Sequence, residues 1–304
     1  MYRQVLKILS NKQIYTTEQL AVELAISISK LQSIIEDLVA YGIKLNHPTN
    51  DTYQLTDTIE LLDAKIIKSK LGNSLIKLEI FDVIDSTNKY VLGKKDINEP
   101  LVCLAEYQTA GRGRQDHRWI SPYASGLCLS IKYNYTNKLD GLSIALAVTI
   151  ARVLYNNLGI AEIGLKWPND VLWQQRKLAG LLLESRWGKE VVIGIGININ
   201  MPIVDDISQP WVDLATILEQ PPTRNDLAAY LINDCLLTLS NYPNTGLKPF
   251  LEDWQFFDLS YGKSVILHNN NKYIQGVATG IDGQGALQIN NQSYVCGSLR
   301  FTNS

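Results

Sequence analysis

Apolar residues in the first 62 positions recur at helical spacing and are separated by short polar stretches. The apolar positions of YRQVLKIL share one face and predict a first helix. A second helix begins in TTEQLAVEL, with Thr16 or Thr17 as its cap. A third begins at Ser29 in SKLQSIIEDLV and ends at Gly42.

The segment after the third helix, IKLNHPTNDTYQLT, predicts two short strands around a Pro/Asn/Asp turn. Helices and hairpin at this spacing are typical of a winged helix-turn-helix domain, here residues 1–62. A small helical packing module is the alternative interpretation. If the domain binds DNA, the candidate contact residues are Thr17, Ser29, Lys30, Gln32 and Ser33.

Residues 63–258 mix strands and helices. The stretch 57–72 predicts a partly helical connection, and IKLEIFDVI, LVCLAEYQ, GLCLSIKYNY and VVIGIGININ predict strands around a long apolar helix, GLSIALAVTIARVLYNNLG. From residue 259 to 304, short strands are separated by NNN, DGQG and NNQ turns, which predict a small β-barrel. The predicted fold class is α+β, with a mixed α/β central domain.

Composition limits the class of protein. A chain of 304 residues with 46% hydrophobic residues can form two or three domains. The net charge of −2 excludes a generally basic nucleic-acid-binding protein and leaves room for a local basic patch. The four cysteines are far apart, which argues against zinc and against a disulfide framework. Without an apolar leader or membrane span, we expect a soluble, cytoplasmic protein.

Several common active-site motifs are absent. Phe257 stands where a P-loop ending at Gly262-Lys263 needs glycine, and GIGINI lacks the third glycine of a dinucleotide fingerprint. The three histidines are dispersed, and no GxSxG nucleophile motif occurs. The sequence therefore provides no candidate covalent nucleophile.

The remaining candidates for a functional site are polar groups set into apolar strands. Lys166 and Asp170 bracket KWPND, and Lys177 precedes the run LAGLLLE, where desolvation is costly unless an anion binds. DSTN (85–88) is suited to capping a helix or to holding a polar ligand. The stretch GRGRQDHRW (111–119) concentrates three arginines on a flexible backbone, which suits a surface turn, a nucleic-acid contact or a phosphate-binding loop. Together these segments favour an anion-binding enzyme site.

These motifs also carry a resemblance to a known family. DSTN, AEYQTAGRGRQDHRWISP, LKWPNDVL, RKLAGLLLE and VVIGIGININ occur in the order seen in biotin–protein ligases. With a helix-turn-helix before them and a barrel after them, the chain resembles the bifunctional members, which are ligases and repressors of biotin-synthesis genes. The resemblance implies a class II synthetase-like central domain and an SH3-like C-terminal barrel.

The resemblance implies a reaction in two steps. Biotin and ATP form biotinyl-5′-adenylate and pyrophosphate, and a lysine of the biotin carboxyl carrier protein of acetyl-CoA carboxylase then displaces AMP. Because the substrates supply both nucleophiles, the protein's task is positioning and charge neutralisation. The resemblance also implies bound Mg²⁺, operator DNA and a homodimer promoted by ligand.

The resemblance assigns roles to individual residues. Biotin binding is expected from Ser86, Thr87, Asn88, Gln108, Arg112, Gly113, Arg114 and Lys177. ATP or adenylate binding is expected from Gly111, Trp119, Lys166, Asn169, Asp170, Asn198 and Trp211. Lys177, Arg112 and Arg114 are the expected catalytic residues, and 111–119 is expected to order over the ligand.

Two rival functions stay open. A lipoate–protein ligase shares the architecture and the adenylation chemistry, but its arginine-serine-triple-glycine motif is absent. A regulator that senses biotin without ligating it is the other, and Lys177 with the nucleotide-side residues argues against it. Operator binding is less secure than ligase activity, because residues 1–62 contain five basic and seven acidic side chains and are therefore net acidic.

Overall fold

Three β-sheets organise the residues that the structure describes. The structure, a computed structural model, describes residues 1–72, 75–95, 97–186, 189–204, 206–269 and 272–302. The N-terminal sheet consists of the short antiparallel strands β1 (Tyr15–Thr16), β2 (Leu45–Asn46) and β3 (Thr52–Leu55), with β3 in the middle. Around it lie the helices α1 (Tyr2–Leu9), α2 (Thr17–Leu24) and α3 (Ile28–Ala40).

Local sequence signals place these helix ends. The Thr16 side chain accepts the Gln19 amide at 3.2 Å and Gln19 accepts the Thr16 amide at 2.8 Å, a capping box that confirms one predicted cap. The helix α3 begins at Ile28, one residue before the predicted start, because the Ser27 side chain accepts the Lys30 amide. Gly42 follows it with φ +99°, the left-handed conformation that favours glycine.

The central sheet has seven strands. They are β4 (Lys77–Ile84), β5 (Leu101–Gln108), β6 (Gly126–Asn134), β7 (Ile163–Lys166), β8 (Asp170–Trp173), β9 (Arg176–Arg186) and β10 (Glu190–Asn198). Their order is β4-β5-β6-β10-β9-β8-β7, in which only β4 and β5 pair in parallel. The predicted mixed α/β centre is confirmed.

Six further helices accompany this sheet. They are α4 (Ala64–Lys70), α5 (Thr87–Gly93), α6 (Leu142–Arg152), α7 (Leu214–Ile217), α8 (Arg224–Thr245) and α9 (Leu251–Phe257). The long apolar helix predicted from the sequence is α6, which continues into a wider turn over Val153–Asn157. No helix in the described ranges is long and apolar enough to cross a membrane.

The two faces of the central sheet differ. The odd-numbered residues of β10 from Val191 to Ile197 belong to the hydrophobic core that also contains α6 and α8. Because side chains alternate along a strand, the even-numbered Gly194 and Gly196 face the opposite side, where α5 lies. That second face carries the candidate site.

The C-terminal residues form a five-stranded sheet. Its strands are β11 (Ser264–Asn269), β12 (Lys272–Ile281), β13 (Leu287–Ile289), β14 (Gln292–Tyr294) and β15 (Ser298–Phe301), in the order β14-β13-β12-β11-β15. Of the predicted NNN turn, residues 270–271 lie outside the described residues. Val265, Leu267 and Leu299 join the central hydrophobic core, so this sheet packs directly on the central one.

A buried carboxylate joins the N-terminal helices to the central sheet. Glu106 on β5 is 1% exposed and accepts hydrogen bonds from Arg3 Nη2 at 3.0 Å, Arg224 Nη1 at 2.6 Å and the Leu62 amide at 2.7 Å. Tyr123 from the central part is buried in the same cluster as α1 and α3. Both contacts fix the position of residues 1–62.

We expect Glu106→Gln to lower the free energy of unfolding by about 3–5 kcal/mol, because two guanidinium groups lose their carboxylate inside the protein. Urea unfolding followed by circular dichroism measures this change. Lys77→Met is the control, since its ion pair with Glu79 leaves the lysine side chain 57% exposed. An equal shift in both variants would contradict a special role for the buried network.

Candidate functional site

A cavity of about 880 Å³ lies on the glycine-bearing face of the central sheet. It gathers residues that are distant in sequence, and fourteen of the fifteen predicted for ligand binding line it. They are Ser86, Thr87, Asn88, Gln108, Arg112, Gly113, Arg114, Trp119, Lys166, Asn169, Asp170, Lys177, Asn198 and Trp211. Gly111 does not line it but lies behind the wall, where an added Cβ would be 2.3 Å from the Trp119 carbonyl oxygen.

The stretch 111–119, which we call the lid, is a compact hairpin over this cavity. The Gly113 amide donates to the His117 carbonyl at 2.7 Å, and the Trp119 amide donates to the Gly111 carbonyl at 3.0 Å. Gln115 turns the chain with φ +52°. All three of its arginines, Arg112, Arg114 and Arg118, line the cavity, so the charged stretch is part of the site wall.

Glycines form the floor of the cavity. A Cβ on Gly196 would be 2.3 Å from the Trp119 ring, and a Cβ on Gly194 would be 2.3 Å from Asn88 Oδ1. Gly180 on β9 pairs with Gly196 and lies 3.4 Å from Trp119 by the same construction. These glycines were not predicted as site residues, although their alternation in GIGIN and their place in KLAG were a signal.

One end of the cavity is a buried network of neutral polar groups. The backbone amide and hydroxyl of Thr87 both donate to Gln108 Oε1, at 2.8 and 3.1 Å. Ser130 of β6, which is fully buried, lies 2.7 Å from Thr87 Oγ1 and 2.5 Å from Asn88 Oδ1. Ser130 was missed because a lone serine in a strand gives no sequence signal.

A carboxylate connects this network to the lid. Glu184 accepts from Asn88 Nδ2 at 2.9 Å and from Arg112 Nη2 and Nη1 at 3.0 and 3.3 Å. The structure thus places Arg112 beside Asn88 at the neutral end. Its guanidinium is paired with Glu184, and its expected catalytic role stays a prediction.

The other end of the cavity is cationic. Lys177 Nζ lies 2.7 Å from Asp170 Oδ1, and Arg114 Nη1 donates to Asn169 Oδ1 at 3.2 Å. Lys166 lines the same wall. Burial lowers the pKa of Lys166 and that of Arg114 because desolvation disfavours the charged forms. An anion placed here would favour the charged forms and so oppose that effect.

Backbone contacts fix the position of Lys177. Its amide donates to the Pro210 carbonyl at 2.9 Å, and its carbonyl accepts the Val212 amide at 3.0 Å. Asn198 Nδ2 donates to the carbonyls of Lys177 and Val212, at 3.3 and 3.1 Å. Asn198 therefore holds two chain segments together, and its expected contact with nucleotide stays a prediction. Trp211 is held against Lys177 by the same contacts.

The C-terminal sheet completes the wall. Residues 297–300, at the start of β15, line the cavity, and Arg300 is close enough to contribute to the lowered pKa of Lys166. These residues were not predicted from the sequence because they are distant along the chain from the motifs that carry the other site residues.

Comparisons with known proteins agree on one family. Residues 80–200 match the Biotin/lipoate A/B protein ligase family. The chain is 35% identical over 297 residues to the bifunctional ligase/repressor BirA of Escherichia coli, covering 94% of this chain and 91% of that protein. The chain belongs to the family of BirA-type biotin–protein ligases.

Solved structures extend this family relationship to the fold. The biotin protein ligase from Aquifex aeolicus, in complex with biotin and ATP, has a TM-score of 0.67 and 26% identity, covering 74% of this chain and 99% of that chain. The chain is also 28% identical to the biotin–[acetyl-CoA-carboxylase] ligase of Mycobacterium tuberculosis, over 74% of this chain and 89% of that protein. The expected resemblance is therefore confirmed.

The residues expected to bind DNA lie outside this cavity. Ser29, Lys30, Gln32 and Ser33 are exposed on α3. Thr17 is 5% exposed, and its amide and hydroxyl both donate to the Asp51 carbonyl. The polar groups of Thr17 thus hold α2 to the turn before β3, and its expected contact with DNA stays a prediction.

The candidate ligand for Mg²⁺ is the carboxylate of Asp170, which lines the cavity. Across the described ranges, no cluster of three His, Cys, Asp or Glu side chains is suited to a metal ion. Asp170 fits Mg²⁺ only as a single carboxylate that acts together with phosphates of a nucleotide.

We expect Gly196→Ala to displace Trp119 and to destabilise the protein by about 1–3 kcal/mol, because the added methyl overlaps the indole ring. Near-UV circular dichroism and urea unfolding measure the two effects. Gly93→Ala is the matched control, since an added Cβ there meets nothing within 4 Å. A Gly196→Ala variant with unchanged spectrum and stability would contradict the packing of Trp119 on this strand.

Proposed function

We propose that the chain activates biotin with ATP to biotinyl-5′-adenylate and transfers biotin to a lysine of the biotin carboxyl carrier protein of acetyl-CoA carboxylase. The observation that carries this proposal is one cavity with a neutral polar end and a cationic end, lined in part by the arginine-bearing lid. A neutral ureido ring suits the first end, and a carboxylate meeting a phosphate suits the second.

The neutral end supports biotin binding. Ser86, Thr87, Asn88 and Gln108 are at most 9% exposed and present hydroxyl and amide groups to a polar ring. Because Gln108 Oε1 and the Asn88 amide already have partners, ligand contacts there use the remaining donors and lone pairs. The biotin tail then extends over the glycine floor toward Lys177.

The cationic end supports adenylation. A biotin carboxylate oxygen attacks the α-phosphorus of ATP, a new P–O bond forms, and the bond to pyrophosphate breaks. Lys177, Lys166 and Arg114 lower the repulsion between the two anions and stabilise charge in the transition state. In the second step the acceptor amine attacks the acyl carbon, and AMP leaves with the electrons of the C–O bond.

The remaining residues position the nucleotide. Trp119 and Trp211 are proposed to pack against adenine, and Asn169 orients Arg114. Asp170 would hold Mg²⁺ with the nucleotide phosphates, and the ion would neutralise charge on the leaving pyrophosphate. The lid residues Gly111 to Arg114 would exclude water from the adenylate, and their ordering on ligand binding stays a prediction.

The chain's other parts support a regulatory role. We propose that residues 1–62 form a winged helix-turn-helix, residues 63–258 the synthetase-like catalytic domain, and residues 259–304 an SH3-like barrel. The exposed polar face of α3 would bind operator DNA upstream of biotin-synthesis genes as a homodimer formed with adenylate bound. A cytoplasmic location stays a prediction.

A direct test incubates the protein with ATP, Mg²⁺, biotin and the carrier domain, and reads the carrier by mass. Incorporation of biotin and not of lipoate supports the proposal. Lipoate incorporation would favour the rival acyl ligase, and binding of biotin without incorporation would favour a sensor without ligase activity.

We expect Lys177→Ala to slow adenylate formation by about 10²–10³, since removing one preorganised electrostatic donor typically has this effect. Single-turnover release of pyrophosphate measures the rate. Lys138→Ala, at an exposed lysine outside the cavity, is the control. A Lys177→Ala rate within a few-fold of wild type would contradict the role assigned to Lys177.

We expect Lys30→Ala to weaken adenylate-dependent binding to a two-fold symmetric operator, because α3 contains no other lysine or arginine. The slope of log affinity against log salt should fall by about one for each phosphate that the variant no longer neutralises. Fluorescence anisotropy with operator and random duplexes measures both, with the exposed Lys65→Ala on α4 as control. No preference for operator in the wild-type protein would contradict the repressor role.

A further inference from the structure

Glu184 occupies the junction between the lid and the neutral end of the cavity. Its strand β9 is internal to the central sheet, and Glu184 pairs with Val192 of β10. By alternation it lies on the same face as Gly180 and Leu182, which both line the cavity. The Glu184 carboxylate thus extends from a rigid strand, β9, at the edge of the cavity.

The lid arginines have different kinds of partner. Arg114 donates to an amide oxygen of Asn169 and Arg118 to the Thr109 carbonyl. Among these described contacts, Arg112 alone is paired with a carboxylate, and two of its nitrogens meet the two oxygens of Glu184. An ion pair with two contacts fixes the orientation of the guanidinium as well as its distance from the carboxylate, whereas a single contact fixes only the distance.

The same carboxylate extends a continuous chain of hydrogen bonds into the cavity. Asn88 donates to Glu184 at 2.9 Å and contacts Ser130 at 2.5 Å, and Ser130 contacts Thr87 at 2.7 Å. The Thr87 backbone amide in turn donates to Gln108 Oε1 at 2.8 Å. Glu184 therefore connects the guanidinium of the lid with four polar groups that line or support the neutral end.

We propose that Glu184 is a positioning residue. It holds the lid closed through its ion pair with Arg112, which we call the latch, and it fixes the position of Asn88 at the same time. The catalytic role of this ion pair rests on the proposed function, because it is the adenylate that a closed lid protects from water. An ordinary surface ion pair would not also bind Asn88. The contact between Glu184 and Arg112 requires no ligand, so it favours the closed lid before ligand binding orders the lid further.

The test compares Glu184→Gln with Glu79→Gln. Glu79 is a matched control, because its side chain is 21% exposed against 22% for Glu184, and it also joins a strand to α5, through Tyr90. Only Glu184 contacts the lid through these bonds. Glutamine keeps an oxygen for Asn88 and removes the charge and the two-point geometry for Arg112.

The first readout uses the protein without ligand. Trypsin cleavage after the lid arginines should be about tenfold faster in Glu184→Gln, equivalent to ~1.4 kcal/mol for the closed lid, and unchanged in Glu79→Gln. Unfolding midpoints confirm that both variants are folded at the assay temperature. Equal cleavage rates in Glu184→Gln and wild type would overturn the latch.

The second readout adds purified biotinyl-5′-adenylate and follows its loss from the protein. We expect loss about tenfold faster in Glu184→Gln, with biotin affinity within about threefold of wild type. Arg112→Met should match it, and the double variant should be no faster than either single one, because both break the same ion pair. Additive effects would overturn the pairing. Wild-type protein that binds no adenylate, with lid cleavage still faster in Glu184→Gln, would reject the proposed function alone.

Discussion

The site depends on a strip of the central sheet where glycines leave the backbone uncovered by side chains. Gly180, Gly194 and Gly196 leave room for the Trp119 ring and for Asn88 directly on the backbone of β9 and β10. A Cβ at either β10 glycine would overlap these groups and fill the cavity. The opposite face of the same strand is packed with valine and isoleucine, so the sheet is rigid where the site is open.

Charge inside the cavity is arranged so that an anion replaces existing partners. Lys177 is paired with the carboxylate of Asp170, and Arg114 donates to the neutral amide oxygen of Asn169. Burial lowers the pKa of Lys166, and an incoming anion would stabilise its charged form. This local concentration of cations explains how a chain of net charge −2 can bring two anionic substrates together.

The N-terminal helices are attached to the catalytic part through the segment that leaves the lid. Tyr123, a few residues after the lid ends, is buried among α1 and α3, and its amide donates to the Tyr41 carbonyl at 2.8 Å. Tyr41 also stacks on Tyr107 of β5 at 4.2 Å between ring centroids. The segment that follows the lid therefore contacts residues that support α3.

The sequence by itself determined the helices of residues 1–62, the mixed centre, the turn-rich C-terminal strands and most residues of the cavity wall, because each has a local period, cap or motif. Local signals could not separate the roles of similar residues: Arg112 and Arg114 are close neighbours in the chain, yet the hairpin sends one to Glu184 and the other to Asn169. Nor could they show that Thr17 and Asn198 use their polar groups inside the protein. Ser130, Glu184 and Arg300 joined the site only through strand pairing and packing across long separations, which no local pattern encodes.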